Sequence, residues 1–321
     1  MIGQLLGGAI DAALDRTVVP GYTRLGYDIR RLGWTHPELP SLAGRTVAVT
    51  GATSGIGRAA AQAAAAQGAR LRLLVRDSAA GERAAREIAA STDNDGISVA
   101  VCDLASVRSI RACAAALARE QVRLDVLINN AGVLSRSREL SRDGYELTFA
   151  TNVLGPFLLT ALLAPLLGRA APGRVITVTS GGMYTQRLRV EDLEMKQDGY
   201  DGTVAYARAK RAQMILTELW AERLASRRIA AHAMHPGWVK TPGVETSLPR
   251  FNRLLGPALR APEEGADTIV WLAGAPANKL GSGRLWHDRR SRPVYVLPKT
   301  RESEQERGRL WSLLSALTGT T

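Results

Sequence analysis

The chain of 321 residues contains only two cysteines, Cys102 and Cys113, which excludes a disulfide framework and leaves no cysteine spacing suited to a metal. So few thiols fit a reducing compartment, and the expected location is the cytoplasm. The four histidines, His36, His232, His235 and His287, have no zinc-ligand spacing, so no metal is expected in the site. Aromatic residues make up 5% of the chain, too few for a platform on which nucleic-acid bases would stack. Lysine is scarce as well, five against 37 arginines, and the arginines are scattered singly apart from short pairs. The net charge of +12 therefore reads as a solvated basic surface, with no nucleic-acid partner expected. The longest apolar run, Val153 to Leu167, carries Gly155, Pro156 and Pro165 and falls short of the roughly 20 residues of a membrane span.

What is present is enough apolar residue to build a core, 45% of the chain, with 22% charged. Near the start, Ile2, Leu5, Leu6, Ala9, Ile10, Ala13 and Leu14 recur at helical spacing. Such a helix either makes peripheral contact with a membrane or packs on its own domain or a second subunit. Asp11 and Asp15 favour packing, because membrane-surface helices carry Lys and Arg on the polar face.

From Thr46 onward short apolar runs alternate with longer helical patterns. Strands are expected at Thr46–Thr50, Arg70–Val75, Ile97–Cys102, Val126–Ile128, Arg174–Thr179 and Ile229–Ala233. Helices are expected at Gly57–Gln67, Ala79–Ala90, Val107–Glu120, Tyr145–Leu167 (bent near Pro156) and Val204–Leu224. This alternation predicts an α/β fold, a single Rossmann-type doubly wound parallel sheet with helices on both faces. Residues 1–40 read as an N-terminal helical extension, 41–300 as the nucleotide-binding catalytic domain, and 301–321 as a tail whose Leu310–Leu317 docks as a helix.

Strand one ends directly in Thr50-Gly51-Ala52-Thr53-Ser54-Gly55-Ile56-Gly57, and a helix follows. A pyrophosphate needs a tight turn, close backbone approach and free helix N–H groups, all of which this segment supplies. Tyr206 and Lys210 stand at i and i+4 on a predicted helix, so both project from one face. A phenol that keeps its proton at neutral pH, with a cation to lower its pKa, suits protonation of an alkoxide. Tyr184 and Tyr200 have Leu188 and Val204 at the matching position, and Pro298 breaks any helix between Tyr295 and Lys299.

The order T-G-x-x-x-G-x-G, then Asn129-Asn130-Ala131-Gly132, Tyr206-x-x-x-Lys210 and Pro236-Gly237-Trp238-Val239-Lys240-Thr241 resembles the short-chain dehydrogenase/reductase superfamily, over about Thr46 to Thr241. Val178-Thr179-Ser180-Gly181-Gly182-Met183 and Met234-His235-Pro236-Gly237-Trp238 resemble its retinol-dehydrogenase-like subgroup. The resemblance implies a catalytic set of Asn152, Ser180, Tyr206 and Lys210. Ser180 would bond the substrate oxygen, and Asn152 would support a water leading protons to the lysine. Each has a plainer alternative, Ser180 as a turn residue and Asn152 as a satisfied buried group.

For the cofactor the resemblance implies Gly51, Ser54, Gly55, Ile56, Gly57, Arg58, Arg76, Asp103, Leu104, Asn129, Ala131, Gly132, Tyr206, Lys210, Pro236, Gly237, Val239 and Thr241. Asp103 would close the adenine pocket, with a helix N-cap as its alternative, a job for which Ser106 is better placed. Arg76 at the tip of strand two, with Arg58 sharing the charge, suits a 2′-phosphate and so NADP(H), while Asp77 keeps NAD(H) open. Both arginines are equally readable as members of an arginine-rich surface.

The implied function is reduction of a carbonyl or oxidation of an alcohol on a small, bulky and apolar substrate. The region Thr241–Leu259 would cover that substrate or serve as core or interface, and Gln186–Gly202, longer than in the smallest family members, would edge the same site. Homo-oligomers through the long helices are common in the family. A non-catalytic NADP(H)-sensing protein is the alternative, though it would have no need of Ser180, Tyr206 and Lys210. A sugar epimerase would use the same Tyr-x-x-x-Lys pair but a different glycine spacing and a second domain.

Overall fold

The computed structural model describes residues 11, 14–15, 18–170, 172–196, 199–247 and 253–320. Most of the helix expected in the first sixteen residues lies outside them. Two short helices, α1 (Val18–Tyr22) and α2 (Arg24–Leu32), precede the sheet. Asp11 pairs with the buried Arg30 of α2 at 2.8 Å and with Arg292 at 2.8 Å, and Asp15 pairs with Arg292 at 2.7 Å.

The alternation read in the sequence then appears as β1 (Thr46–Thr50), α3 (Gly55–Ala66), β2 (Arg70–Val75), α4 (Ser78–Thr92), β3 (Ile97–Val101), α5 (Val107–Glu120) and β4 (Val126–Asn129). It continues through α6 (Gly155–Gly168), β5 (Gly173–Val178), α7 (Gly202–Arg223) and β6 (Ile229–Met234), to α8 (Pro242–Ser247) and α9 (Pro262–Gly274). Strands β7 (Arg284–His287) and β8 (Arg290–Arg292) and helix α10 (Glu304–Thr318) complete the chain. β1, β4 and β5 are buried at every position, as expected of parallel strands covered on both faces.

The strand order is β3-β2-β1-β4-β5-β6-β7-β8, parallel except for the antiparallel β7–β8 pair. The order of connection reverses between β1 and β4, so the ligand crevice of such a sheet lies at their carboxyl ends. One apolar cluster, including Leu127, Phe157, Leu163, Ile215 and Leu314, fills one side of the sheet. Val49, Ala60, Leu73, Ile269 and Trp286 belong to the other.

The irregularity expected near Pro156 lies just before it. Leu147–Phe149 runs into a π-helical turn, Ala150–Leu154, and α6 starts after it with Pro156 in its first turn. Pro156 has no N–H to return to the turn before it, and the ladder shifts there without ending the helix, which runs from Leu147 to Gly168. By length and composition Leu147–Gly168 is apolar enough to cross a membrane, yet 78% of its most apolar stretch is buried inside the protein. The tail docks as α10, which sets Trp311 against Phe157 of α6 and Trp220 of α7, with ring centroids 4.9 and 4.6 Å apart.

Candidate active site

The glycine loop closes on a neighbouring backbone. Gly51 and Gly55 have φ of +67° and +53°, a region that side-chain-bearing residues seldom adopt. A Cβ at Gly57 would strike the Gly51 oxygen and the Asn130 carboxamide, and one at Gly51 would lie 2.9 Å from Ala131 Cα. Thr50 Oγ1 accepts from the N–H groups of Asn130 and Ala131 at 2.9 and 3.0 Å, and Asn130 Nδ2 donates to the Thr50 oxygen at 3.0 Å. Thr50 and Asn130, neither singled out from the sequence, thus tie β1 to β4 at the crevice. Their hydrogen-bonding side chains beside the glycines were the only signal.

Ser54 stands at the N-cap of α3, yet its hydroxyl makes no capping bond, so the first helix N–H groups have no side-chain cap. Thr241 packs over Gly55, and Val239 and Ile56 meet at Gly265, so these predicted residues do converge. The 2.6 Å approach of Val239 to a Cβ built at Gly265 shows how closely α9 seats on them. This cradle of glycine backbone, open helix N-terminus and hydroxyl fits a dinucleotide pyrophosphate.

Other predicted residues have different duties. Arg58 turns to Glu87 of α4 at 2.5 Å rather than standing with Arg76. Asp77 caps α4, accepting from the Ala80 N–H at 3.1 Å, while Arg76 beside it is exposed. The Asn129 side chain turns into the core toward Thr160 at 3.1 Å, away from the crevice. Asp103 accepts from the Ala105 N–H at 3.0 Å, and Ser106 is the residue that caps α5. Leu104 is buried, its carbonyl against Gly155 at the start of α6. Pro236 and Gly237 contact the buried Arg260, the Pro236 oxygen accepting from it at 3.2 Å. The Trp238 N–H donates to the Tyr22 oxygen at 2.8 Å, and the Tyr22 ring lies 4.7 Å from His235. The N-terminal segment is therefore built into the rim formed by the ends of β5 to β7, in line with the packing that Asp11 and Asp15 favoured.

At the ends of β5 and α7 the catalytic candidates meet. Asp201 starts α7 by accepting from the Thr203 and Val204 N–H groups, which sets the helix phase that turns Tyr206 and Lys210 to one side. Ser180 accepts from the Gly182 N–H at 3.3 Å, which is its turn role, and its hydroxyl stands near enough to the Tyr206 phenol to pull that group's pKa down. Thr179 points the other way, donating to the Lys210 carbonyl at 2.9 Å. Lys210 Nζ donates to the Val178 oxygen at 2.8 Å and lies 5.3 Å from the Tyr206 ring centroid. Asn152, fully buried in the π turn, bonds Val133 through both ends of its carboxamide at 2.9 Å. A Cβ built on Gly132 would lie 3.4 Å from Asn152 Oδ1 and 3.5 Å from Lys210 Nζ, so both polar atoms face the same glycine.

The electrostatics differ from the expected lowered phenol. Burial pushes Tyr206 up to about 12, against the pull of the Ser180 bond, and burial pushes Lys210 down to about 7. The phenol is thus held firmly protonated at neutral pH, and the amine is balanced between its two forms. The other tyrosines near the site have their hydroxyls engaged elsewhere: Tyr184 with the Pro293 oxygen, Tyr200 with Glu146 and Tyr295 with Glu302.

Residues 45–250 match the short chain dehydrogenase family, and the chain belongs to it. Dehydrogenase/reductase SDR family member 12 of Bos taurus is 41% identical over 299 residues, covering 92% of this chain and 93% of that protein. Human retinol dehydrogenase 14 is 36% identical over 333 residues, covering 98% and 96%. Among solved structures, the Pseudomonas aeruginosa RhlG/NADP active-site complex superposes with a TM-score of 0.63 at 28% identity, covering 76% of this chain and 94% of that one. The protein is an oxidoreductase of the retinol-dehydrogenase-like kind, with a fold that binds a nicotinamide dinucleotide.

Proposed function

We propose that the protein is an NADP(H)-dependent oxidoreductase acting on the carbonyl or alcohol of a bulky apolar substrate, with Tyr206 as general acid and base. The observation that carries this reading is the grouping of Tyr206 with Ser180 and the Lys210 amine, whose Nζ lies 5.3 Å from the phenol ring centroid and faces Gly132. Gly51, Ser54, Gly55, Gly57 and Thr241 would hold the dinucleotide, with Arg76 supplying charge for a 2′-phosphate. When bound, the nicotinamide supplies or accepts the hydride.

The chain's own groups do the rest. The Ser180 and Tyr206 hydroxyls converge on one point, where a substrate oxygen accepts from both. Tyr206 keeps its proton until that oxygen becomes basic enough to take it, since burial disfavours the free phenolate. A protonated Lys210 beside the ring lowers the cost of the phenolate once it forms. The apolar substrate class is supported by the likeness to retinol dehydrogenase 14.

A screen of aldehydes, ketones and alcohols followed by NADPH absorbance tests the proposal. Turnover of apolar carbonyls with NADPH is expected. Cofactor binding without turnover of any compound would favour the sensor reading instead.

A further inference from the structure

Tyr206, Lys210 and Gln213 stand at i, i+4 and i+7 on α7, so the three side chains form one stripe along the helix. The third member belongs to no sequence motif considered above. Gln213 is 2% exposed, and its Nε2 donates to the main-chain oxygen of Asn152 at 2.6 Å. Its Oε1 is also buried and has no partner. Buried carboxamides normally satisfy both ends, so this one is committed to Asn152 at the expense of its oxygen.

The bond falls on a carbonyl that Pro156, four residues on, cannot serve for want of an N–H. In the π turn the helical ladder is displaced by one residue, the Gly155 N–H reaching back to the Ala150 oxygen. Gln213 takes a carbonyl of that turn from outside. The same residue, Asn152, grips Val133 through its side chain and faces Gly132 together with Lys210 Nζ. A closed circuit results: from α7 through Gln213 to the π turn, through Asn152 to the segment after β4, and back to Lys210 on α7.

We propose that Gln213 is a positioning residue, whose amide fixes the π turn so that Asn152 holds Val133 and Gly132 in register with the Lys210 amine. It acts through Asn152 and touches no reacting atom. The inference deepens the oxidoreductase reading and rests on it for turnover, while its effect on the π turn is measurable without any substrate.

Two variants test it. In Gln213→Met the donor is lost at every pH. In Gln213→Glu the shape is kept, and burial at this 2%-exposed position raises the carboxyl's pKa, so the protonated acid still donates to Asn152 in mild acid, whereas its ionised form sets a negative charge against a carbonyl. We expect Gln213→Glu to turn over within about 3-fold of the wild type near about pH 5.5 and to fall about 10-fold or more behind it by about pH 8.5. Gln213→Met should stay low throughout, and both variants should bind NADPH with a Kd within about 3-fold of the wild type. In the cofactor-free protein, hydrogen exchange over Phe149–Leu154 and Val133 should be about 10-fold faster in Gln213→Met, with β1 and β2 unchanged.

Unchanged exchange in that segment, or a Gln213→Glu profile parallel to the wild type, would overturn the proposal. Should Gln213→Met fail to fold, the comparison passes to Gln213→Glu, whose π-turn exchange relative to wild type must rise with pH. A wild type that reduces no carbonyl defeats the oxidoreductase reading, and the exchange comparison then decides the role of Gln213 by itself.

Discussion

Lys210 donates from Nζ to the main-chain oxygen of Val178 at 2.8 Å, and this bond, with the one from Thr179 Oγ1 to the Lys210 carbonyl at 2.9 Å, anchors that face of α7 to the end of β5, next to Ser180. The amine is 2% exposed, so the fold holds it where its charged form is disfavoured.

That burial has a stability consequence with a definite sign. Burial pushes the amine down to about 7 in the folded chain, from the 10.5 of a free lysine side chain. Between these values the unfolded chain binds more protons, so stability rises with pH across that window, and the full penalty is present below it. Lys210→Met should raise Tm by about 3 °C or more at about pH 6, with the gain shrinking toward about pH 10. Thermal denaturation at both pH values is the check, and a Tm lowered equally at both would contradict it.

Arg76 and Asp77, adjacent at the tip of β2, would pull the proposed cofactor preference in opposite directions. Asp77 is engaged as the cap of α4, and among the described residues Arg76 forms no ion pair. Arg76→Ala should raise KM for NADPH about 10–100-fold and leave KM for NADH within about 2-fold, the range of a charge-assisted bond. Equal effects on both cofactors would refute the assignment.

Gly57→Ala tests the cradle. The added methyl meets the Gly51 carbonyl and the Asn130 carboxamide, neither of which can move without breaking the tie between β1 and β4. A loss of about 1–3 kcal/mol of stability is expected from overpacking, together with NADPH binding weakened about 100-fold. Denaturant titration and fluorescence binding read the two effects separately, and a variant that binds normally would argue against this loop as the phosphate site.

Trp311 provides a test of the C-terminal helix. Its ring contacts Phe157 and Trp220 and lies under the Arg223 guanidinium at 3.9 Å. Trp311→Ala should cost about 2–4 kcal/mol in unfolding free energy while kcat stays within about 3-fold of the wild type. An unchanged denaturation midpoint would mean that α10 contributes little to the core.

Much of this was legible in the amino-acid order, for identifiable reasons. β1, β2 and α5 have the bounds their apolar runs and Ser106 predicted, because buried strands and a side-chain cap are local features. Pro156 made a break in the long helix legible, but not its form as a π turn, whose Asn152 bonds to Val133 and Gln213, residues far away in the chain. The strand Arg284–His287 was hidden for a similar reason: its run is short and mixes Arg, Trp and His, and only its pairing with β6 makes it a strand. In the site, Tyr206, Lys210 and the glycines were readable by spacing, whereas the direction of the Asn129 side chain and the Arg58–Glu87 pair depend on neighbours that only folding supplies.

The central claim is that the Tyr206 phenol, shared with Ser180 and attended by Lys210, moves the proton of the reaction. The direct measurement is kcat for Tyr206→Phe on the best carbonyl substrate, alongside its Kd for NADPH. A fall in kcat of about 10²–10⁴-fold with cofactor affinity unchanged is predicted. Turnover within a few-fold of the wild type would contradict the account.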